Sequence, residues 1–305
     1  MREQVGYLLG QQPELQLTLA VLVVQDGAII AEGYGPDCGV DKTLISWSMA
    51  KSMTHALYGL LVKDALIDLD SPAPVAEWAH DARSAITVQQ LLNMSSGLQF
   101  FEDYVDADKS DCIEMLFGSG QHDVAGYGAS LPLEHTPGTV WNYSSGTTNI
   151  LCRIAGEVLG GAESMHTYLT NRLFEPLGMA SAVPKFDAAG TFIGSSFVYA
   201  TARDFARFGL LYLNDGMVGD QRILPEAWVD HATSAVAYVP DTEPYGYGAH
   251  WWLWPELDAF ACQGYEGQRI VVVPKKNAVV VRLGKTSADA SPAFNEAMHA
   301  LVRAL

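Results

Sequence analysis

Apolar residues follow two rhythms along this chain. Near the start, LAVLVV, Asp26-Gly27 and AIIAEGY make two β-rich runs, and the Asp-Gly pair predicts a tight hairpin between them. Near the end, FACQGYEG, QRIVVVP and AVVVRLG form three more strand-like runs, the last two joined by a turn at Lys275-Lys276-Asn277. The tail beyond Pro292 changes period: Phe294, Met298, Leu301 and Leu305 fall on one helical face. Helical spacing also marks Ser48 to Val62, Val88 to Met94, Thr147 to Leu159 and Ala202 to Leu213, separated by Gly- and Pro-rich loops.

Strands at both ends and helices between them predict an α+β fold, with an antiparallel sheet built from the two termini. The whole chain, 1–305, reads as a single domain. Residues 1–45 plus about 200–305 form its α/β part, and about 46–199 a mainly helical insertion. No internal repeat or low-complexity stretch interrupts it.

Composition narrows the function. Hydrophobic residues make up 49% and charged residues 17%, which suits a globular chain and not a disordered one. A net charge of −17 argues against nucleic acid as a partner. Cys38, Cys112, Cys152 and Cys262 are scattered, without the C-x-x-C pairing of a zinc site. The first residues carry no basic segment followed by an apolar core and a small-residue cleavage site. The run Leu19 to Val24 is too short to span a bilayer. The expectation is a cytoplasmic protein without a membrane span; a chain trimmed of its leader would read the same.

Candidate chemistry begins at Ser48-Met49-Ala50-Lys51. Residues three apart share a helix face, which makes the serine hydroxyl and the lysine amine neighbours. The amine can take the hydroxyl's proton where its surroundings lower its pKa. A serine in the first turn also faces free backbone N–H groups and the positive end of the helix dipole. With 19 Ser and 8 Lys, chance supplies about 0.5 such motifs, so its company matters. Trp141-Asn142-Tyr143-Ser144-Ser145-Gly146 precedes a second helix. There Tyr143 is a candidate base, and the Ser145 hydroxyl a partner for the lysine or the substrate. The third element, Cys262-Gln263-Gly264-Tyr265-Glu266-Gly267, ends a strand with glycines that permit close backbone approach. A plain β-turn explains those glycines equally well.

In order, SWSMAKS, LIDLDSPAPVAEW, VQQLLNMSSGLQF, NYSSG, LFEPLGM, SSFVYATARDFARFGLLYLNDG, ILPEAWV and ACQGYEGQRIVVVP resemble the beta-lactamase-related serine hydrolases from about residue 18 to the end. That family includes class C beta-lactamases, D-alanyl-D-alanine carboxypeptidases and an esterase and 6-aminohexanoate-dimer hydrolase branch. The resemblance implies a beta-lactamase/transpeptidase-like fold, with Ser48, Lys51 and Tyr143 catalytic. It also implies Ser145, Gln263, Gly264 and Tyr265 against the substrate, with the N–H groups of Ser48 and Tyr265 as oxyanion hole. No cofactor is called for.

Two departures favour the esterase and amidase branch. Cys262 stands where relatives that bind carboxylates carry Lys or His, and Ser145 stands where beta-lactamases carry Asn. A neutral small ester or amide is the expected substrate, although Arg269 lies close enough in sequence to replace the missing cation. The rival readings are a beta-lactamase or D-alanyl-D-alanine carboxypeptidase, and a penicillin-binding-type module that is acylated without turnover. No H-E-x-x-H or G-x-S-x-G occurs. Ser95-Ser96-Gly97 reads as a helix-ending turn, Trp251, Trp252 and Trp254 as core or pocket wall, Tyr104 as a residue at the cleft rim, and Cys262 as a buried filler.

Overall fold

A computed structural model describes residues 1–305. The apolar runs at the two ends assemble into one seven-stranded antiparallel sheet. Across it lie Ala28–Tyr34, Leu17–Gln25, Ala278–Lys285, Gln268–Val273, Ala259–Gly264, Trp252–Trp254 and Gly246–Tyr247. The strand Leu17–Gln25 pairs with Ala278–Lys285, Leu22 opposite Val281 and Val24 opposite Val279, so the ends of the chain are neighbours at the centre of the sheet. Asp26 and Gly27 both have positive φ, at 49° and 76°, the backbone that a two-residue hairpin turn needs to match strand twist.

These strands read as unbroken apolar runs because both faces of the sheet are covered. On one face Val21, Val23, Val271, Val273 and Val280 pack with Leu8, Phe294, Met298 and Leu301. Those partners come from the terminal helices Arg2–Leu9 and Ser291–Arg303. On the other face Leu22, Ile270, Val272, Val279 and Val281 meet Phe205 and Phe208 of the helix Ala202–Leu213, together with Met53 and Leu57 of the helix Met49–Lys63. Gly209 permits the close approach there: a Cβ in its place would sit 2.6 Å from a Val279 methyl.

The chain enters and leaves the helical part through a separate three-stranded sheet, completed by Val183–Pro184. Leu44–Ile45 pairs with Val198–Ala200, and the Ser46 N–H donates to the Val198 carbonyl at 2.8 Å. The residues just before the helix Met49–Lys63 are therefore held against the returning chain. The helix Val88–Leu92 stops two residues before the end of the segment that periodicity marks, and Ser145–Leu159 starts two residues before its marked segment. Five short helices had no clear periodic signal: Arg2–Leu9, Asp111–Phe117, Val124–Ser130, Ala162–Leu169 and Trp228–Thr233. Each is too short to display more than two turns of pattern. FACQGYEG also ends as a strand earlier than its apolar pattern implies. The strand stops at Gly264, and a tight turn follows with Glu266 at φ 58° and Gly267 at φ 79°. No helix is long and apolar enough to cross a membrane.

Candidate active site

Ser48 occupies the N-cap of the helix Met49–Lys63, and Trp47 before it is held at φ 44°, a left-handed backbone that side chains rarely adopt. The bend is fixed on both sides. The Ser46 hydroxyl donates to the Ser196 carbonyl at 3.1 Å, and the Trp47 ring packs against Phe197 and Tyr265 at 5.8 and 5.7 Å. One turn on, Lys51 is 1% exposed. Its ammonium donates to the Ser48 Oγ at 3.0 Å, the Ser145 Oγ at 2.8 Å and the Ser195 carbonyl at 3.1 Å. Three acceptors answer the three protons of the ammonium, as a buried cation requires.

Tyr143 reaches this pair from the loop before the helix Ser145–Leu159, and the Lys51 Nζ lies 4.8 Å from its ring centre. Burial pushes the phenol above the ordinary tyrosine value, and the adjacent Lys51 ammonium pulls it back. Trp141, Tyr247 and Trp252 surround the ring, with Trp252 closest at 5.3 Å. Trp252 thus walls the site, whereas Trp251 and Trp254 are core residues.

Glu102 went unnoticed in the sequence. It accepts from the Ser145 Oγ at 2.6 Å, the Ser145 N–H at 2.7 Å and the Tyr104 hydroxyl at 2.8 Å. Its carboxylate therefore caps the helix Ser145–Leu159 and, through one hydroxyl, faces Lys51. An acidic residue two before Tyr104 in FFEDY was the only available signal, and no periodicity distinguishes it from a solvated loop carboxylate.

A cleft of about 520 Å³ opens over these groups, lined by Ser48, Tyr143, Trp252, Gln263, Gly264 and Tyr265 among others. Ser145 is 1% exposed and turned to Lys51 and Glu102, away from that opening. Gly264 comes close to the bend before Ser48, where a Cβ would meet the Ser46 carbonyl at 2.5 Å. Among turn and loop hydrogen bonds, neither the Ser48 nor the Tyr265 N–H is engaged.

Cys262 does not face the cleft. It is 1% exposed within the core, where burial raises its thiol pKa. The cation that does line the cleft is Arg269, which is 8% exposed and has no carboxylate partner. It donates to the Gln268 and Gly264 carbonyls at 2.9 and 3.3 Å, and its Nε is unpaired. Burial lowers its pKa to about 10. Ser95, Ser96 and Gly97 follow the turn that ends the helix Val88–Leu92, with Gly97 at φ 78°. Nowhere do three His, Cys, Asp or Glu side chains gather as a metal site would need.

The family model described as Beta-lactamase matches residues 12–304. A 6-aminohexanoate-dimer hydrolase of Paenarthrobacter ureafaciens is 26% identical over 295 residues, covering 90% of this chain and 74% of that protein. Penicillin-binding protein 4 of Amycolatopsis lactamdurans is 28% identical, covering 87% and 79%. A solved Bacillus anthracis structure, provisionally described as a 6-aminohexanoate-dimer hydrolase, superposes with a TM-score of 0.82 at 23% identity, over 94% of this chain and 79% of that one.

Proposed function

The chain belongs to the beta-lactamase family of hydrolases, and from that premise we propose that it is a serine hydrolase cleaving a small ester or amide through an acyl-enzyme on Ser48. The observation that carries this reading is the Lys51 ammonium, 3.0 Å from the Ser48 Oγ and 4.8 Å from the Tyr143 ring, under an open cleft.

In the proposed reaction the Lys51–Tyr143 pair acts in the form in which it has lost one proton, and the Ser48 Oγ attacks the carbonyl carbon while its own proton passes to the vacant amine or phenolate of that pair. The carbonyl oxygen becomes an oxyanion held by the N–H groups of Ser48 and Tyr265, with the positive end of the helix dipole behind it. Collapse breaks the bond to the leaving group, which takes up the proton and departs through the cleft. Water then attacks the ester on Ser48, gives its proton to the same pair, and releases the acid and a free serine. Glu102, acting through Ser145, holds Lys51 in place and balances its charge.

A fluorophosphonate probe followed by peptide mass spectrometry should place the label on Ser48. Ser48→Ala should retain the fold and lose at least three orders of magnitude in kcat, the scale on which removal of a nucleophile acts. Label on another residue, or a variant with a tenth of wild-type turnover, would overturn the assignment.

Arg269 favours a second reading, in which the substrate is a β-lactam or a peptide ending in a carboxylate, since a buried guanidinium with no carboxylate partner suits that anion. Comparing a chromogenic cephalosporin with a short nitrophenyl ester decides between them. The esterase reading requires the ester to be turned over at least tenfold more efficiently.

A further inference from the structure

Beside Ser48, sharing Ser48, Tyr104 and Tyr265 with the open cleft, lies a second and smaller space of about 60 Å³. The bend supplies Trp47, the helix Asp111–Phe117 supplies Ile113, Leu116 and Phe117, and the rings of Tyr104 and Tyr265 meet at 5.0 Å along its edge. No charged side chain lines this recess, whereas Glu102, Glu243 and Arg269 all line the open cleft. Ser48 borders both spaces. The nucleophile therefore borders a small, mainly apolar recess and a wide cleft with charged lining.

We propose that this recess takes the acyl side chain of the substrate and restricts it to an uncharged chain of about two to four carbons. The inference rests on the acyl-enzyme reading above. In that reaction the two halves of the substrate have different needs. The leaving half must depart and water must enter, which requires an open, wettable route. The acyl half stays tethered to Ser48 through both steps and tolerates confinement. Size follows from volume: an engineered apolar cavity of about 150 Å³ takes benzene, so 60 Å³ accommodates two or three methylene groups and no ring. Charge follows from the lining, because a carboxylate there would lose its water and find no cation to offset the loss.

The test varies the acyl group and keeps the leaving group fixed. The kcat/KM of nitrophenyl acetate, butyrate, hexanoate, octanoate and hemisuccinate is measured on the wild-type chain. Each methylene up to butyryl should raise kcat/KM by about fourfold, the fold-change for burying one CH2. Hexanoyl should fall at least tenfold below butyryl, and so should hemisuccinyl, which matches butyryl in length but carries a charge. Leu116→Ala should move the optimum to hexanoyl or longer, and Ile113→Trp should reduce the butyrate-to-acetate ratio to one or below. Because both variants are read as ratios between substrates, partial loss of folded protein does not affect the outcome. A flat or steadily rising chain-length profile, or equal use of hemisuccinate and butyrate, overturns the recess assignment even if Ser48 is acylated. Failure to detect an acyl group on Ser48 with any of the esters overturns the reading on which the assignment depends.

Discussion

At the scale of single residues, the site solves one problem, that of holding a lysine out of water without a carboxylate in contact. Lys51 gives its three protons to two hydroxyls and a carbonyl, and the nearest negative charge, Glu102, stands one hydroxyl away. The intervening Ser145 thus holds the amine in place without a direct carboxylate contact. If Lys51 and Tyr143 form one proton-transfer unit, their losses cannot add, because either change disables the same relay. The kcat/KM penalties of Lys51→Ala and Tyr143→Phe should therefore sum to well over that of the double variant. Simple additivity would show two independent roles.

At the scale of elements, the helix Met49–Lys63 carries Ser48 at its start and a buried histidine, His55, two turns on. The His55 Nδ1 meets the Tyr212 hydroxyl at 2.8 Å, and its Nε2 meets the His231 Nδ1 at 3.0 Å; the His231 Nε2 in turn meets the Gln89 Oε1 at 2.9 Å. An amide oxygen only accepts, so the chain is satisfied with one proton on each imidazole, and Trp228 stacks on both rings. A second buried histidine, His250, donates from Nδ1 to the Leu92 carbonyl at 2.7 Å. Burial lowers the pKa of all three, His55 well below its usual value and His250 to about 3. The folded state thus binds fewer protons than the unfolded chain once pH falls below about 6.5, the ordinary histidine value. Stability is complete above that pH and declines as pH drops toward the lowered values. The melting temperature should fall between pH 7.5 and 5.0, before most carboxylates titrate, and His231→Gln should flatten the slope. A wild-type melting temperature constant across that window would contradict the neutral-histidine account.

At the scale of the whole molecule, the sheet separates two tasks. One face carries the helix that bears Ser48; the other is closed by the terminal helices. Leu8 is fully buried on that second face. Leu8→Ala should cost about 2–5 kcal/mol of unfolding free energy, the range for truncating a core leucine. The kcat/KM of the folded fraction should stay unchanged. Denaturant unfolding and active-site titration together provide the check, and a loss of kcat/KM per labelled site would mean that the two faces are coupled.

The sequence by itself determined whatever depends on short-range spacing. The period of two and the Asp-Gly turn specified the terminal strands, the period of 3.6 specified the longer helices, and three residues of helix made Ser48 and Lys51 neighbours. The ordered motifs pointed to the family and drew attention to Tyr143 and the segment from Gln263 to Tyr265. Only the tertiary structure decided the rest. It placed Glu102 behind Ser145, turned Cys262 into the core, brought Arg269 to the cleft, and closed an apolar recess with residues from 47, 104, 113–117 and 265. The reason is the same in each case. Local backbone geometry is encoded within a few residues, whereas the direction a strand side chain faces and the neighbour a loop carboxylate finds depend on register and closure between segments far apart in the chain, as with Glu102 and Ser145.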